Sequence, residues 1–137
     1  MTKQHLREKD LKLQARERLN REVLNMRQLN ASRHPNFPVL LAYDTKRLPY
    51  HIITAFEERG DLLAFVRSFR EGDPPVKHYR LLEMLKDVSD AILYLEELGL
   101  VHRAVMAKNV LVGSQNCKLT GLHSTFRAFY TGKSERN

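Results

Sequence analysis

Apolar positions recur at helical spacing in two long stretches of the chain. From about Leu6 to Leu29, residues Leu11, Leu13, Ala15, Leu19, Val23, Leu24 and Met26 fall close to one stripe, with no Gly or Pro to interrupt it. That pattern predicts an amphipathic helix, with Leu19, Val23, Met26 and Leu29 as its better-defined face. From His78 to Leu98, residues Leu81, Leu82, Leu85, Val88, Ser89, Ile92, Tyr94 and Leu95 repeat at i, i+3, i+4 and i+7. So wide a stripe predicts a helix central to the core, and Gly99 supplies its C-terminal cap.

Between and after these helices the period changes to that of strands. Pro35 and Pro38 end the first helix in a loop. Val39–Asp44 and Tyr50–Phe56 read as two strands of an antiparallel hairpin, joined by a turn at Thr45–Pro49. Gly60-Asp61-Leu62 reads as a helix start with Asp61 as N-cap. Residues 70–77, rich in Gly and Pro, form a turn-rich insert. Leu100-Val101 is apolar, and residues 102–109 form a polar loop. Val110–Val112, the turn Gly113–Asn116 and Cys117–Thr120 then make a second hairpin. A polar loop set just before a hairpin presents side chains to a cleft from a rigid platform.

The chain's 137 residues suffice for one small domain, and a 42% hydrophobic fraction permits a core. Its single cysteine, Cys117, excludes an internal disulfide framework and suits a reducing compartment. No apolar run approaches the ~20 residues of a membrane helix, and the N-terminus lacks a signal-peptide apolar region. The net charge of +7 raises a nucleic-acid reading. Residues 1–30 hold eight Lys/Arg against four acids. Those signs are interspersed as on a solvated face, without the interleaved aromatics of a base-stacking platform, so no nucleic-acid partner is expected.

The polar loop carries a resemblance. His102-Arg103-Ala104-Val105-Met106-Ala107-Lys108-Asn109 is similar to the catalytic loop of protein kinases, H-R-D-L-x-x-x-N, with the His-to-Asn spacing kept. Ala107-Lys108-Asn109 resembles the tyrosine-kinase ending A-A-R-N more than the serine/threonine ending K-P-E-N. Lys118-Leu119-Thr120-Gly121-Leu122-His123 stands where the family has Lys-Leu-x-Asp-Phe-Gly. The chain thus resembles a tyrosine-kinase-like, receptor-type catalytic domain, partial and degenerate.

Two carboxylates of the family pattern are replaced, by Ala104 and Gly121. In the family one Asp accepts the substrate hydroxyl proton and the other holds Mg²⁺. Alanine and glycine have no side-chain oxygen and can do neither. By resemblance no catalytic set is intact: Ala104 occupies the base position, with His102 and Arg103 retained. Asn109 is the one remaining metal-ligand position and a weak one, Gly121 marking the lost ligand. His102 is structural in the family, one of a stacked column completed here by Met26, Leu40 and Leu122. Arg103 would meet an activation-segment phosphate.

The resemblance extends outward from the loop. Residues 21–29, followed by His34-Pro35-Asn36-Phe37, are similar to the kinase αC helix and its exit. Glu22 would be the carboxylate that pairs with the lysine of a V-A-I-K strand. That strand and the Gly-rich loop have no counterpart in the sequence, and Lys3 is only a weak stand-in. An unpartnered Glu22 would be a surface carboxylate beside Arg18 or Arg21. Thr54 falls at the gatekeeper position, with Ala55, Phe56 and Glu57 as the hinge whose main chain would meet an adenine edge. Leu111 would floor the adenine pocket, or serve simply as a core strand residue. The long helix from His78 resembles the one preceding the catalytic loop.

These readings predict an α+β, partial kinase-like fold: an αC-like helix with a small-lobe hairpin, a hinge, then large-lobe helices and the catalytic-loop hairpin. Residues 1–17 would be a helical extension, 18–123 the kinase-like domain and 124–137 a truncated activation-segment-like tail. The function expected is a catalytically impaired pseudokinase acting in protein binding or regulation. The alternatives are an active protein tyrosine kinase as part of a longer product, and a non-functional gene fragment. The resemblance implies ATP and Mg²⁺ as cofactors, bound weakly or not at all. It also implies a protein partner, and a place in the cytoplasm or on the cytoplasmic side of a membrane receptor-like parent.

Overall fold

The computed structural model describes residues 3–69 and 74–128, with the side chains of the first helix described from Arg7 onward. Element order is α1 (Lys3–Ala31), β1 (Leu40–Asp44), β2 (His51–Thr54), α2 (Leu62–Arg67), α3 (His78–Glu97), β3 (Leu100–Val101), β4 (Val110–Val112), β5 (Cys117–Leu119) and β6 (Phe126–Arg127). Single 3₁₀ turns lie at Ala107–Asn109 and Leu122–Ser124. The mixed helices and small antiparallel sheets are those expected of a partial kinase fold.

The α1 face predicted to be best defined is the one that packs. Val23, Met26 and Leu29 are buried and Leu19 is half-buried. Leu11, Leu13 and Leu24, assigned to the same stripe, are exposed instead. Arg7–Arg18 are all exposed, so helix formation there brings little burial among the described residues. Lys3 belongs to this same helix. At ~1.5 Å rise per residue its backbone lies about 28 Å from that of Glu22, so it is no substitute for the lysine of a neighbouring strand.

The predicted hairpin forms, with Tyr43 opposite Ile52 and Asp44 opposite His51. Its second strand is shorter than expected, because Tyr50, Ala55 and Phe56 lie outside the ladder. Asp61 caps α2 as read from the sequence, its Oδ1 accepting from Ala64 N–H at 2.9 Å. Residues 70–73 of the turn-rich insert and the tail from Phe129 lie outside the described residues.

The core gathers Met26, Leu29, Phe37, Met84, Ala91, Leu95, Val110, Val112, Leu119 and Leu122. Helix α3 is central to it, but through Leu81, Met84, Val88, Ala91 and Leu95. Leu82, Leu85 and Ile92 of the same predicted stripe are exposed. The apolar positions of α3 therefore make two faces, one of them turned inward. Gly99 follows α3 at φ +68, a left-handed turn that a glycine takes without steric cost. One ladder had no sequence signal: Leu100 and Val101 pair with Arg127 and Phe126.

Candidate functional site

The loop from His102 to Asn109 is fixed by its own polar groups. Ala104 N–H donates to His102 Nδ1 at 3.1 Å, so that nitrogen carries no proton. His102 Nε2 then bears the hydrogen and donates to Thr120 O at 2.7 Å. Burial holds His102 below the ordinary histidine range, in keeping with a neutral ring. Both ring nitrogens are committed to main chain, and the ring ties the loop to the segment after β5. Met26 and Leu122 are buried in the core, with Leu40 packed against it.

Asn109 closes the other end of the loop. Its Nδ2 donates to Ala104 O at 2.8 Å, and its carbonyl accepts from Thr120 N–H at 2.8 Å. Gly121 sits against it at φ +78. A Cβ built on Gly121 would lie 2.7 Å from Asn109 Nδ2. The corner formed by Ala104, Asn109 and Gly121 thus holds an amide nitrogen hydrogen-bonded to a carbonyl, and no side-chain carboxylate comes from these three positions. Mg²⁺ needs several oxygens in near-octahedral array, and these residues do not fit it. Among the described residues no cluster of His, Cys, Asp or Glu is arranged to hold a metal ion.

The segment read as the hinge reaches β5 through Glu57, while Leu111 meets Asp61 beyond it. Past Thr54, Ala55 N–H donates to Val39 O at 2.9 Å, so that donor is already used within the hairpin. Phe56 projects into solvent, 85% exposed. Glu57 forms an ion pair with Lys118 at 2.5 Å, both side chains mostly covered. Arg59 N–H donates to Val112 O at 3.2 Å and Val112 N–H to Gly60 O at 2.8 Å. Asp61 bridges Leu111. Leu111 is half-buried in β4, and residues 59–61 dock on that strand as an extra strand would.

Glu22 is half-buried and faces the segment after Gly121. Its Oε2 lies 3.8 Å from His123 Nδ1. His123 Nε2 meets Arg18 Nη2 at 2.6 Å. A guanidinium can only donate, so this nitrogen of His123 accepts and the proton sits on Nδ1, toward Glu22. Desolvation raises the Glu22 carboxyl above its ordinary range. Desolvation, then the Arg18 charge, lowers His123. Asn25 adds Nδ2 bonds to Leu122 O (2.7 Å) and Thr125 O (3.2 Å). Arg18, Glu22 and Asn25 stand at i, i+4 and i+7, one face of α1, and grip residues 122–125 together. Glu22 thus keeps the Arg18 charge nearby, as the sequence suggested, but at a half-buried position that also faces His123.

Three further side chains, not singled out by the sequence motifs, enter these contacts. His123 and Lys118 bear on Glu22 and Glu57, and Arg21 stacks 4.2 Å from the Phe126 ring centroid, with Arg103 on the same ring at 4.9 Å. The i, i+4, i+7 polar spacing on α1 was the available signal for the first. A cavity of about 590 Å³ lies here, lined by Arg18, Arg21, Arg103, His123 and Phe126. Arg103 takes φ +69, a left-handed backbone that non-glycine residues rarely adopt.

A helix packed on a small hairpin, a hinge strapped to a β4–β5 hairpin, and a His–Asn loop ahead of it define the protein-kinase class. The protein tyrosine and serine/threonine kinase family matches residues 3–134, and the chain belongs to it. It is 38% identical over 82 residues to tyrosine protein-kinase src-1 of Caenorhabditis elegans, covering 60% of this chain and 15% of that relative. It is 37% identical over 84 residues to the tyrosine-protein kinase transforming protein Abl of Abelson murine leukemia virus, covering 61% and 11%. Tyrosine-protein kinase Fer of Mus musculus is 36% identical over 83 residues, covering 61% and 10%. The chain thus matches only a small part of each relative's length. No helix among the described residues is long and apolar enough to cross a membrane.

Proposed function

We propose that this chain is a kinase-like binding or regulatory module, acting on a protein partner in the cytoplasm and lacking phosphoryl-transfer activity. Residues 18–123 would form its body, with 1–17 a helical extension and 124–137 an activation-segment-like tail. The supporting observation is the corner at residues 104, 109 and 121. Transfer of a phosphoryl group depends on metal ions that neutralise developing charge and on a carboxylate that receives the hydroxyl proton. Ala104 and Gly121 offer neither, and Asn109 turns its amide nitrogen to the Ala104 carbonyl. Arg103 and His102 serve the loop's shape. Nucleotide affinity, if retained, rests on the hinge main chain of Thr54, Ala55, Phe56 and Glu57 and on Leu111. It is weak because Ala55 N–H is already bonded to Val39 O.

The test is a transfer assay with labelled ATP on the purified chain, paired with thermal-shift titration of ATP with and without Mg²⁺. The expected result is no chelator-sensitive transfer and a shift that Mg²⁺ does not enlarge. Chelator-sensitive turnover would overturn the proposal.

A further inference from the structure

Two hollows meet at His34, on the face formed by the end of α1, the start of β1, β5 and α3. One, of about 500 Å³, is floored by Phe37 and rimmed by Arg33, Val39 and Lys118. The other, of about 240 Å³, lies between Pro35 and the α3 residues Asp90, Leu93 and Glu97. The ridge between them is held by its own polar groups. His34 Nδ1 accepts from Asn36 N–H at 3.2 Å, and its ring stacks on Tyr94 at 4.6 Å. Asn36 Nδ2 donates to Cys117 O at 2.9 Å. Asn30 Nδ2 donates to Pro38 O at 2.9 Å, and its Oδ1 accepts from Leu40 N–H at 2.7 Å. A concave surface fixed in advance need not be ordered when a ligand arrives.

We infer that this face docks an extended segment of a protein partner, with an acidic residue beside Arg33, an apolar side chain against Val39 and Phe37, and a basic residue beside Glu97. This gives a surface to the protein-binding role proposed above, and rests on that reading for there being a protein partner. Charge divides between the hollows. The first is lined by Arg33 and Lys118 and by no acid, the second by Asp90 and Glu97 and by no Lys or Arg. Lys118 is paired with Glu57, and Asp90 with Lys86. The charges left to a partner are therefore those of Arg33 and Glu97. A ligand of one sign would be repelled at one end, whereas a segment carrying both signs matches both. Apolar contact is available between the charges, since Val39 is 46% exposed and Leu93 55%. Two hollows on either side of a ridge suit an extended chain that crosses it, its side chains entering in turn. Arg33 gives a second indication. It follows α1 at φ +56, where glycine or asparagine is usual, so its guanidinium is set at this rim against the preference of the backbone.

The test is selection from a phage-displayed library of random peptides, about twelve residues long, on the immobilised full chain. Synthetic copies of the enriched peptides are then titrated by fluorescence polarisation. Enriched peptides are expected to carry an acidic and a basic residue on either side of an apolar one. Their affinity should fall at least about tenfold with Arg33→Glu, Val39→Asp or Glu97→Lys. All three side chains are exposed, and circular dichroism checks that each variant keeps its helices. Changing the peptide's acidic residue to lysine should restore binding to the Arg33→Glu variant. Recovery of no peptide, or of peptides indifferent to all three substitutions, overturns the inference. Peptides weakened by Arg33→Glu but not by Glu97→Lys overturn the two-ended charge match. None of these results bears on phosphoryl transfer, so a failure here is distinct from a failure in the labelled-ATP assay.

Discussion

The side-chain amide of Asn109 fills the space where a side chain on residue 121 would begin. A Cβ on Gly121 would fall 2.7 Å from Asn109 Nδ2 and 2.8 Å from its Cγ. These atoms are tied down, because Nδ2 is bonded to Ala104 O. Restoring a carboxylate at 121 therefore meets a rigid neighbour and a left-handed backbone at once. Gly121→Ala is expected to cost about 1–3 kcal/mol, read as a drop in the urea midpoint. In an Asn109→Ala background the clash disappears and only backbone strain remains, so the cost should shrink. Equal costs in both backgrounds would refute the contact. For the same reason Ala104→Asp with Gly121→Asp is not expected to produce Mg²⁺-dependent transfer.

Glu57 and Lys118 join the hinge to β5 through an ion pair with side chains 11% and 16% exposed. Removing one partner leaves the other charge largely desolvated, and desolvation is the costly half of such a pair. Lys118→Met should destabilise by about 2 kcal/mol, more than Lys118→Met with Glu57→Gln together. Chemical denaturation of both variants decides it. A double variant less stable than Lys118→Met alone would show that the pair does not act through charge burial.

Acid should loosen the grip of α1 on residues 122–125. His123 titrates below 6.5 in the folded chain. An unfolded chain takes up that proton first, so the stability His123 contributes is complete above about pH 6.5 and is lost as pH falls through its folded value. His102 is shifted the same way and adds to the slope. Glu22, raised above 4.5, acts oppositely and in a lower window. What it contributes is present below about pH 4.5 and lost as pH rises through its folded value. Unfolding free energy should therefore fall between pH 7.5 and 5.5, and His123→Gln should flatten part of that fall. A slope unchanged in His123→Gln would assign it to other groups.

What the sequence revealed depended on whether a residue's environment is set locally. The α1 face at Val23, Met26 and Leu29 was legible because a helix of fixed period meets one core. Asp61 as a cap was legible because capping is decided within three residues. The α3 stripe was misread in part: Leu82 and Leu85 share its periodicity but not its inward direction, and periodicity records only that a position is apolar. The pairing of Leu100 and Val101 with residues 126 and 127 is long-range, and two-residue strands carry no pattern. The site divided the same way. Replacement of carboxylates at 104 and 121 is visible in the letters. That Asn109 occupies the gap, or that His123 stands between Arg18 and Glu22, needs coordinates, because these contacts join residues 12 to 105 positions apart.

Cys117 is the last test, and it concerns the core. Its side chain is buried beside the turn of the β4–β5 hairpin, and its N–H donates to Asp87 Oδ2 at 2.7 Å. Burial pushes the thiol up to about 11, the Asp87 charge adding to it. Only the thiolate attacks disulfide reagents, so at pH 8 roughly one thiol in a thousand is ionised, and that fraction is covered. Modification should then proceed through opening of the hairpin from α3, at a rate that rises with sub-denaturing urea. Asp87→Asn keeps most of the burial and removes one nearby charge, so it should speed labelling only modestly. Rapid stoichiometric labelling in the absence of denaturant would mean that β5 is not seated against α3 in solution.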